Sequence, residues 1–457
     1  MNVYTNMSLL VTKELDTKVH DISAPDYKFT RIYPQTGGQT VTPGSSTAET
    51  IFEIPTKPIN LARSTITWTR SILAQGAGNF TWIPQDTYGE IQSITLLTQR
   101  GVEIVKLDNA PSNYLKVIRK KETPYQEYVD NDRPDQLYRS DSLAAVNYTG
   151  VSIGGATTGA AIGGSYLENK YHLISGDNAA NTHPVQLKLS SILNTIFSFN
   201  KDIVFPEIIL LRIIWSNAKL GWLTTSATVP STGAAVFATM PTFTSLTLNL
   251  AVETRPDIER ALRERLVSGY KLLIPFVWTT KTTTTAATSL NVSVKYSGIH
   301  GSYLRKIIHV PFHTTETLNT MYDNNNYGAD RDTTAKMTTY YTSLDSQRKQ
   351  DFDLSCSLNV GTDYMYHKHM IKGSALLPQP SFSANWFHCD DFLGSSGPQD
   401  SDGEVPLIGG LDLQGAERKW DFTATACISA AYNHYTWAVC ARWLHFNKSE
   451  VSFSGSA

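Results

Sequence analysis

The sequence is poor in cysteine. It has four in 457 residues, Cys356, Cys389, Cys427 and Cys440, and none lies in a C-x-x-C pair. That spacing excludes a zinc ribbon or a dithiol redox motif, and a disulfide framework is not expected at this length. The thiols are expected to be reduced and packed. Charge is scarce as well: Asp, Glu, Lys and Arg make up 18% of the chain, below the roughly 25% of ordinary soluble proteins. The formal net charge is −2, so the basic stripe of a nucleic-acid surface is missing. The densest basic cluster, Lys116 to Lys121, reads as the solvated end of a short helix, and no direct sequence-specific nucleic-acid binding is expected. No apolar run approaches the ~20 residues that span a bilayer. Residues 1–10 show no basic region followed by an apolar core, so no signal peptide is expected. The Asn-x-Ser/Thr sites at Asn79, Asn147 and Asn291 are then expected to be chance matches. G-x-S-x-G, H-E-x-x-H and G-x-x-x-x-G-K-[ST] are all absent, which removes the usual marks of a hydrolase, a zincin and a nucleotide loop.

What is present is apolar and uncharged polar. Hydrophobic residues are 41% of the chain, enough for a large core. Thr, Ser, Asn and Tyr fill the place of the missing charges. They suit strands, polar loops, and surfaces that meet other copies, because burying charge is costly.

One stretch stands apart from a strand-and-turn background. Thr254 to Gly269 predicts a short helix just past the middle of the chain. Thr254 and Asp257 fit a capping box, and Pro256 falls in the first turn. Ile258, Leu262 and Leu266 form one narrow apolar stripe. Glu259 with Arg263, and Arg260 with Glu264, pair across one turn on the solvent side. Gly269 can end the helix in a left-handed conformation.

Strands are expected on either side. Before the helix, Thr65, Thr67 and Thr69 alternate with Ile66, Trp68 and Arg70, the period of a strand with two unlike faces. Ile91 to Thr98 and Val102 to Leu107 flank a glycine turn. Ile208 to Trp215 is nearly all apolar and reads as a strand covered on both faces. Leu246, Leu248, Leu250 and Val252 alternate with polar residues. After the helix come Lys271 to Trp278, a Thr-rich turn from Thr279 to Thr288, the alternating Leu290 to Tyr296, and Arg305 to Phe312. Tyr340 to Leu344, Phe352 to Leu358 and Tyr364 to Ile371 read as short strands. Trp420 to Ile428 and Tyr435 to Trp443 end the chain, with Trp437 and Trp443 on one face of the last strand. Polar loops are expected over residues 122–183, 224–242, 313–335 and 396–415. Many short strands with long loops and one clear helix predict an all-β protein of two antiparallel sandwiches.

Several stretches resemble double jelly-roll major capsid proteins, the viral coat group that includes virophage, polinton-like and adenovirus-type proteins. The strand Leu246 to Glu253, the helix, and then Gly269 to Pro275 resemble the junction of that family. So do Tyr340 to Leu354, His369 to Ser374 with Asn385 to Phe392, and the aromatic pair Trp420 to Ile428 and Tyr435 to Phe446. The resemblance covers roughly residues 185–450 well and the first third poorly. It implies two eight-stranded antiparallel jelly-roll sandwiches in tandem, joined by a short helix. The implied division is an N-terminal arm over 1–25, a first roll over 26–253, the connecting helix over 254–269, and a second roll over 270–457.

The function implied is that of a viral major capsid protein with no enzymatic activity. It would self-assemble as pseudo-hexameric trimers into an icosahedral shell, inside the infected cell. Its partners would be two further copies of itself, neighbouring capsomers, penton and minor capsid proteins, and an internal membrane layer within reach of the arm. A carbohydrate-binding or glycan-processing β-sandwich is the alternative, since jelly rolls also host lectins and glycosidases.

The remaining constellations have bland explanations that outweigh the chemical ones. His367 and His369 share a strand face near Asp363 and could hold a metal, but partly exposed strand histidines are the simpler expectation. His388, Cys389, Asp390 and Asp391 offer four ligand types in a row. Neighbours in a strand point to opposite faces, so all four cannot meet one ion. Asp390 and Asp391 could act as an acid–base pair, yet adjacent carboxylates are more often solvated. Trp386, Phe387, Trp437 and Trp443 could form a sugar platform, but core packing suits strand aromatics better. No catalytic, cofactor or metal-binding residue is therefore assigned, and no cofactor is expected.

Overall fold

The computed structural model describes residues 26–35, 39–42, 48–72, 80–84, 91–108, 171–175, 181–215, 223–225, 242–285, 289–313, 337–355, 388–392, 410–415, 417–427 and 432–454. The N-terminal arm, the expected helix from Asn109 to Lys121 and most of the long loops lie outside the described residues.

The first half contains β1 (Tyr27–Ile32), β2 (Glu49–Ile54), β3 (Ile59–Ile72), β4 (Phe80–Pro84), β5 (Ile91–Thr98) and β6 (Glu103–Leu107). It continues with β7 (Tyr171–Ser175), β8 (Asn181–Lys188), β9 (Asp202–Ile203), β10 (Ile209–Trp215), β11 (Leu223–Thr225) and β12 (Thr242–Glu253). One sheet runs β1-β12-β3-β8, with β9 added on β3; the facing sheet runs β2-β10-β5-β6. Two antiparallel four-strand paths connected in this order make a jelly roll. The helix α1 (Pro256–Ser268) follows.

The second half repeats the plan with β13 (Tyr270–Thr284), β14 (Leu290–Tyr296), β15 (Tyr303–His313), β16 (Met337–Leu344), β17 (Gln347–Arg348) and β18 (Leu354–Ser355). It ends with β19 (His388–Asp391), β20 (Leu411–Asp412), β21 (Arg418–Cys427), β22 (Tyr432–Phe446) and β23 (Val451–Ser454). Its sheets run β13-β22-β15-β19 and β14-β21-β16-β17.

Alternation sets the two cores. In β3, Ile66, Trp68 and Arg70 are buried while Thr65, Thr67 and Thr69 are half-buried on the other face. Trp68 meets Trp215 edge-on, with ring centroids 5.2 Å apart, and Phe243 packs on both. In β14, Leu290, Val292, Val294 and Tyr296 are buried and the residues between them are exposed. These face Trp420, Phe422 and Ala424 of β21 in the second core.

Four local expectations need correction. Thr254 does not cap α1. Arg255 holds the N-cap position without a side-chain bond, and the Thr254 hydroxyl donates instead to Asp26 Oδ2 at 2.7 Å. The Thr-rich stretch begins as strand rather than turn: β13 runs on to Thr284, paired residue by residue with β22. β10 is not fully covered on both faces, since Leu210, Arg212 and Ile214 are only half-buried. Finally, β7 falls inside the expected loop 122–183 and β11 overlaps the start of the expected loop 224–242; with β4 they join in a sheet of their own, order β11-β4-β7.

The apolar stripe and the first of the two expected charge pairs behave as expected, while Arg260 and Glu264 do not pair. Ile258 and Leu266 are buried and Leu262 is half-buried against the core. Arg263 Nε donates to Glu259 Oε1 at 2.8 Å. Gly269 ends the helix at φ +75°, a backbone angle that costs glycine least. Leu266→Asp would place a carboxylate against this apolar cluster. It is expected to cost about 3 kcal/mol or more, read as a lower urea midpoint at unchanged slope. Arg263→Ala, which removes the exposed pair with Glu259 and the bond to the Thr56 carbonyl, should cost only about 0.5–1 kcal/mol.

Candidate functional site

Three features of the fold bear on function: the seam between the rolls, the loop-bearing end, and a polar cluster inside the second roll. In the sheet β13-β22-β15-β19 the register puts Cys389, Ile308 and Trp437 side by side, with Val310 and Val439 along the same face. All five are buried and belong to one apolar cluster with the first roll. On the first-roll side, β6 lies against β13. Ile104, on the opposite face of β6 from Val105 and Leu107, is also fully buried. Phe205 packs on Phe446, with ring centroids 5.8 Å apart, and Arg100 reaches Glu450 at 3.0 Å at the rim.

The loop-bearing end follows from strand register. Ser71 of β3 faces Thr242, where β12 begins, and Ile72 faces Asn181, where β8 begins. Trp215, the last residue of β10, faces Ile91, the first of β5. The connections 73–90, 109–180 and 216–241 therefore all leave one end of the first roll, and β4, β7 and β11 come one from each. In the second roll Thr284 and His313 both face Tyr432, and Met337 faces Cys427. The connections 285–289, 314–336 and 428–431 thus also leave one end. In both rolls this is the end far from α1, because β12 runs into the helix and β13 runs out of it.

The opposite, inner face of β13-β22-β15-β19 carries the polar cluster. His388 and His309 are register partners, and His434 lies two residues from Thr436 on the same face. All three histidines are fully buried. His309 Nε2 lies 3.0 Å from His434 Nδ1, with the rings stacked, and His434 Nε2 lies 3.0 Å from Thr284 Oγ1. Burial pushes His434 down to about 3. Burial, then the neighbouring His434 and His388, push His309 well below the ordinary histidine value.

Beside them, His388 Nε2 stands 3.1 Å from Asp390 Oδ1, and Tyr340 Oη 3.1 Å from His388 Nδ1. The Trp420 indole donates to Asp390 Oδ2 at 2.7 Å. Burial alone would raise the Asp390 pKa. His388, the Trp420 N–H and Lys349 outweigh it and hold the carboxyl below its usual range.

The motif His388 to Asp391 is thus split by the strand period, as its sequence implies. His388 and Asp390 point into the second core, Cys389 into the seam, and Asp391 is half-buried. Asp390 and Asp391 do not face one another, and Asp390 is 1% exposed, out of reach of a polymeric substrate. Trp437 is buried in the seam rather than displayed, and Trp443 is half-buried. His367, His369, Trp386 and Phe387 lie outside the described residues. The sequence reading missed His309, His434, Tyr340 and Trp420 as a network. Single polar residues in strands give no pairing signal until register sets them side by side.

No protein-family signature and no curated protein sequence matches the chain. Solved structures do. The PBCV-1 protein VP54, fitted into a reconstruction of the virophage Sputnik, superposes with a TM-score of 0.54 at 9% identity, over 95% of this chain and 98% of that one. The PBCV-1 virus capsid gives 0.53 at 11% identity over 95% and 98%. The Sputnik virophage structure gives 0.50 at 12% identity over 95% and 90%. The fold is that of the double jelly-roll capsid proteins. Within this double jelly roll, Asp390 and its donors tie β19 to β21 across the second sandwich. Trp420→Phe keeps an aromatic ring, though a smaller one, and removes the charge-assisted bond. It should destabilise by about 1.5–3 kcal/mol, measured by chemical denaturation at neutral pH.

Proposed function

We propose that the chain is a viral major capsid protein. It assembles as pseudo-hexameric trimers into an icosahedral shell within the infected cell and catalyses nothing. The division behind this reading is an arm (1–25), a first roll (26–253), a helix (254–269) and a second roll (270–457). The observation that carries it is the internal seam. One roll already docks on another in the same chain, with the connections 73–90, 109–180, 216–241 and 314–336 at the end away from α1. Three such pairs in a ring would give six rolls from three subunits.

The two faces left free by the internal seam support the ring. On the first roll the outer face of β3 and β12 is a ladder of uncharged polar groups. Thr67 Oγ1 and Thr247 Oγ1 are 2.7 Å apart, and Asn249 reaches both Thr65 and Thr67. Such a face can be covered without stranding charges. On the second roll the free sheet carries paired charges, Lys295 with Glu417 at 2.8 Å and Arg418 with Asp345 at 2.9 Å. The long connections are then free to clasp neighbouring subunits, capsomers, penton and minor proteins. The arm would reach inward, towards a minor protein or an internal membrane layer. The glycan-binding alternative loses ground because the candidate carboxylate Asp390 and the candidate platform residue Trp437 are buried.

Light scattering on the purified chain should give three times the subunit mass. Thr67→Arg combined with Thr247→Arg should leave the circular dichroism unchanged and yield monomers, because it puts two charges on the face that must be covered. A parent protein that stays monomeric at high concentration, or a variant that still trimerises, would remove the ring.

A further inference from the structure

The buried histidines are unevenly shared between the rolls. Of the 11 histidines in the sequence, His20, His172 and His183 precede the helix and the other eight follow it. Among the described residues every buried histidine, His300, His309, His388 and His434, is in the second roll. Two of them form a closed pair. The His309 Nε2 to His434 Nδ1 bond needs one ring to donate and the other to accept. One added proton can still be accommodated in that bond; a second sets two N–H groups against each other. His309 Nδ1 has no hydrogen-bond partner among the described residues. The pair is walled by Phe422, 4.1 Å from the His309 ring centroid, and by Trp420 at 5.7 Å.

Among the described residues no carboxylate bonds to either ring of the pair. The titratable groups that face the pair are His388 and Asp390 on β19, Tyr340 on β16 and Tyr432 on β22. From β13 the nearest group is the neutral Thr284 hydroxyl, and β21 presents only Trp420 and Phe422. Asp390 is already held by Trp420 and His388, with Lys349 close enough to act on it. Farther along the inner face, Cys440 and Tyr296 are buried and un-ionised.

We propose that the His309–His434 pair is an acid-sensitive latch that makes the second jelly roll open before the first as pH falls. The proposal concerns the fold and stands whether or not the chain builds a shell. Both histidines have folded values below the 6.5 of a free histidine. Their neutral form therefore adds stability that is fully present above pH 6.5 and is lost as pH falls from there towards the folded values. Each such group multiplies the unfolding constant by up to about tenfold per pH unit, and the pair by up to about a hundredfold.

Hydrogen–deuterium exchange on the full chain at pH 6.5 and 5.5, corrected for intrinsic exchange rates, tests this. Protection of residues 303–313 and 432–446 should fall by about thirtyfold, because an unfolded histidine is already half protonated at pH 6.5, while residues 59–72 and 242–253 fall far less. His300 and His445, also held below the free value, mainly by burial, add to the second-roll slope. The decisive comparison is therefore with His309→Phe/His434→Gln, which should flatten the slope by about thirtyfold. His309→Gln alone should flatten it about fivefold. Equal loss of protection in both rolls of the parent, or the full slope retained in either variant, would overturn the latch. Should both variants fail to fold, the parent's contrast between rolls decides alone.

Discussion

The structure depends on one sheet being buried on both faces. β13-β22-β15-β19 must satisfy the inside of its own sandwich and the side of the first roll at once. Because a strand alternates, each residue serves one side only. Ile308, Val310, Trp437, Val439 and Cys389 serve the seam. Ile307, His309, His434, Ala438, Cys440 and Asp390 serve the interior. A one-residue slip would exchange the two sets and put His309 and Asp390 into the apolar seam. The long pairing of β13 with β22 protects the register that this arrangement needs.

The two faces solve burial differently. The seam is mostly apolar, with the buried Lys306 and its register partner Asp391 on the same face, so its hydrophobic part tolerates exchange of one apolar side chain for another. The interior mixes aromatic rings with groups that must be matched one to one: Asp390 with Trp420, His434 with Thr284, Tyr340 with His388. Such a network leaves little freedom, because each unmatched member carries its full desolvation cost. Geometry at the helix joins these choices to the outer shape. β12 enters α1 and β13 leaves it at the same end. The connections 73–90, 109–180, 216–241 and 314–336 therefore leave the end away from α1, whereas 392–410 leaves the other end of the second roll.

Much of this was legible in the residues. The scarcity of charge, the alternation in β3, β12 and β14, and the isolated amphipathic helix determined an all-β protein in two sandwiches around one junction. Each is a local pattern whose period is set by backbone geometry alone. The split of His388, Cys389 and Asp390 between opposite faces followed from the same period.

What only the tertiary structure decided are matters of register and neighbourhood. Thr254 could have capped α1, but Asp26, brought in by the pairing of β1 with β12, offered its hydroxyl a better partner. The threonines from Thr279 to Thr284 look like a turn until β22 supplies a paired strand along their whole length. His309 and His434 are 125 positions apart, and nothing in either segment marks the other. Their partnership exists because β15 and β22 pair in one register, and pairing energy summed over a whole strand is a property of the fold rather than of any short stretch of sequence.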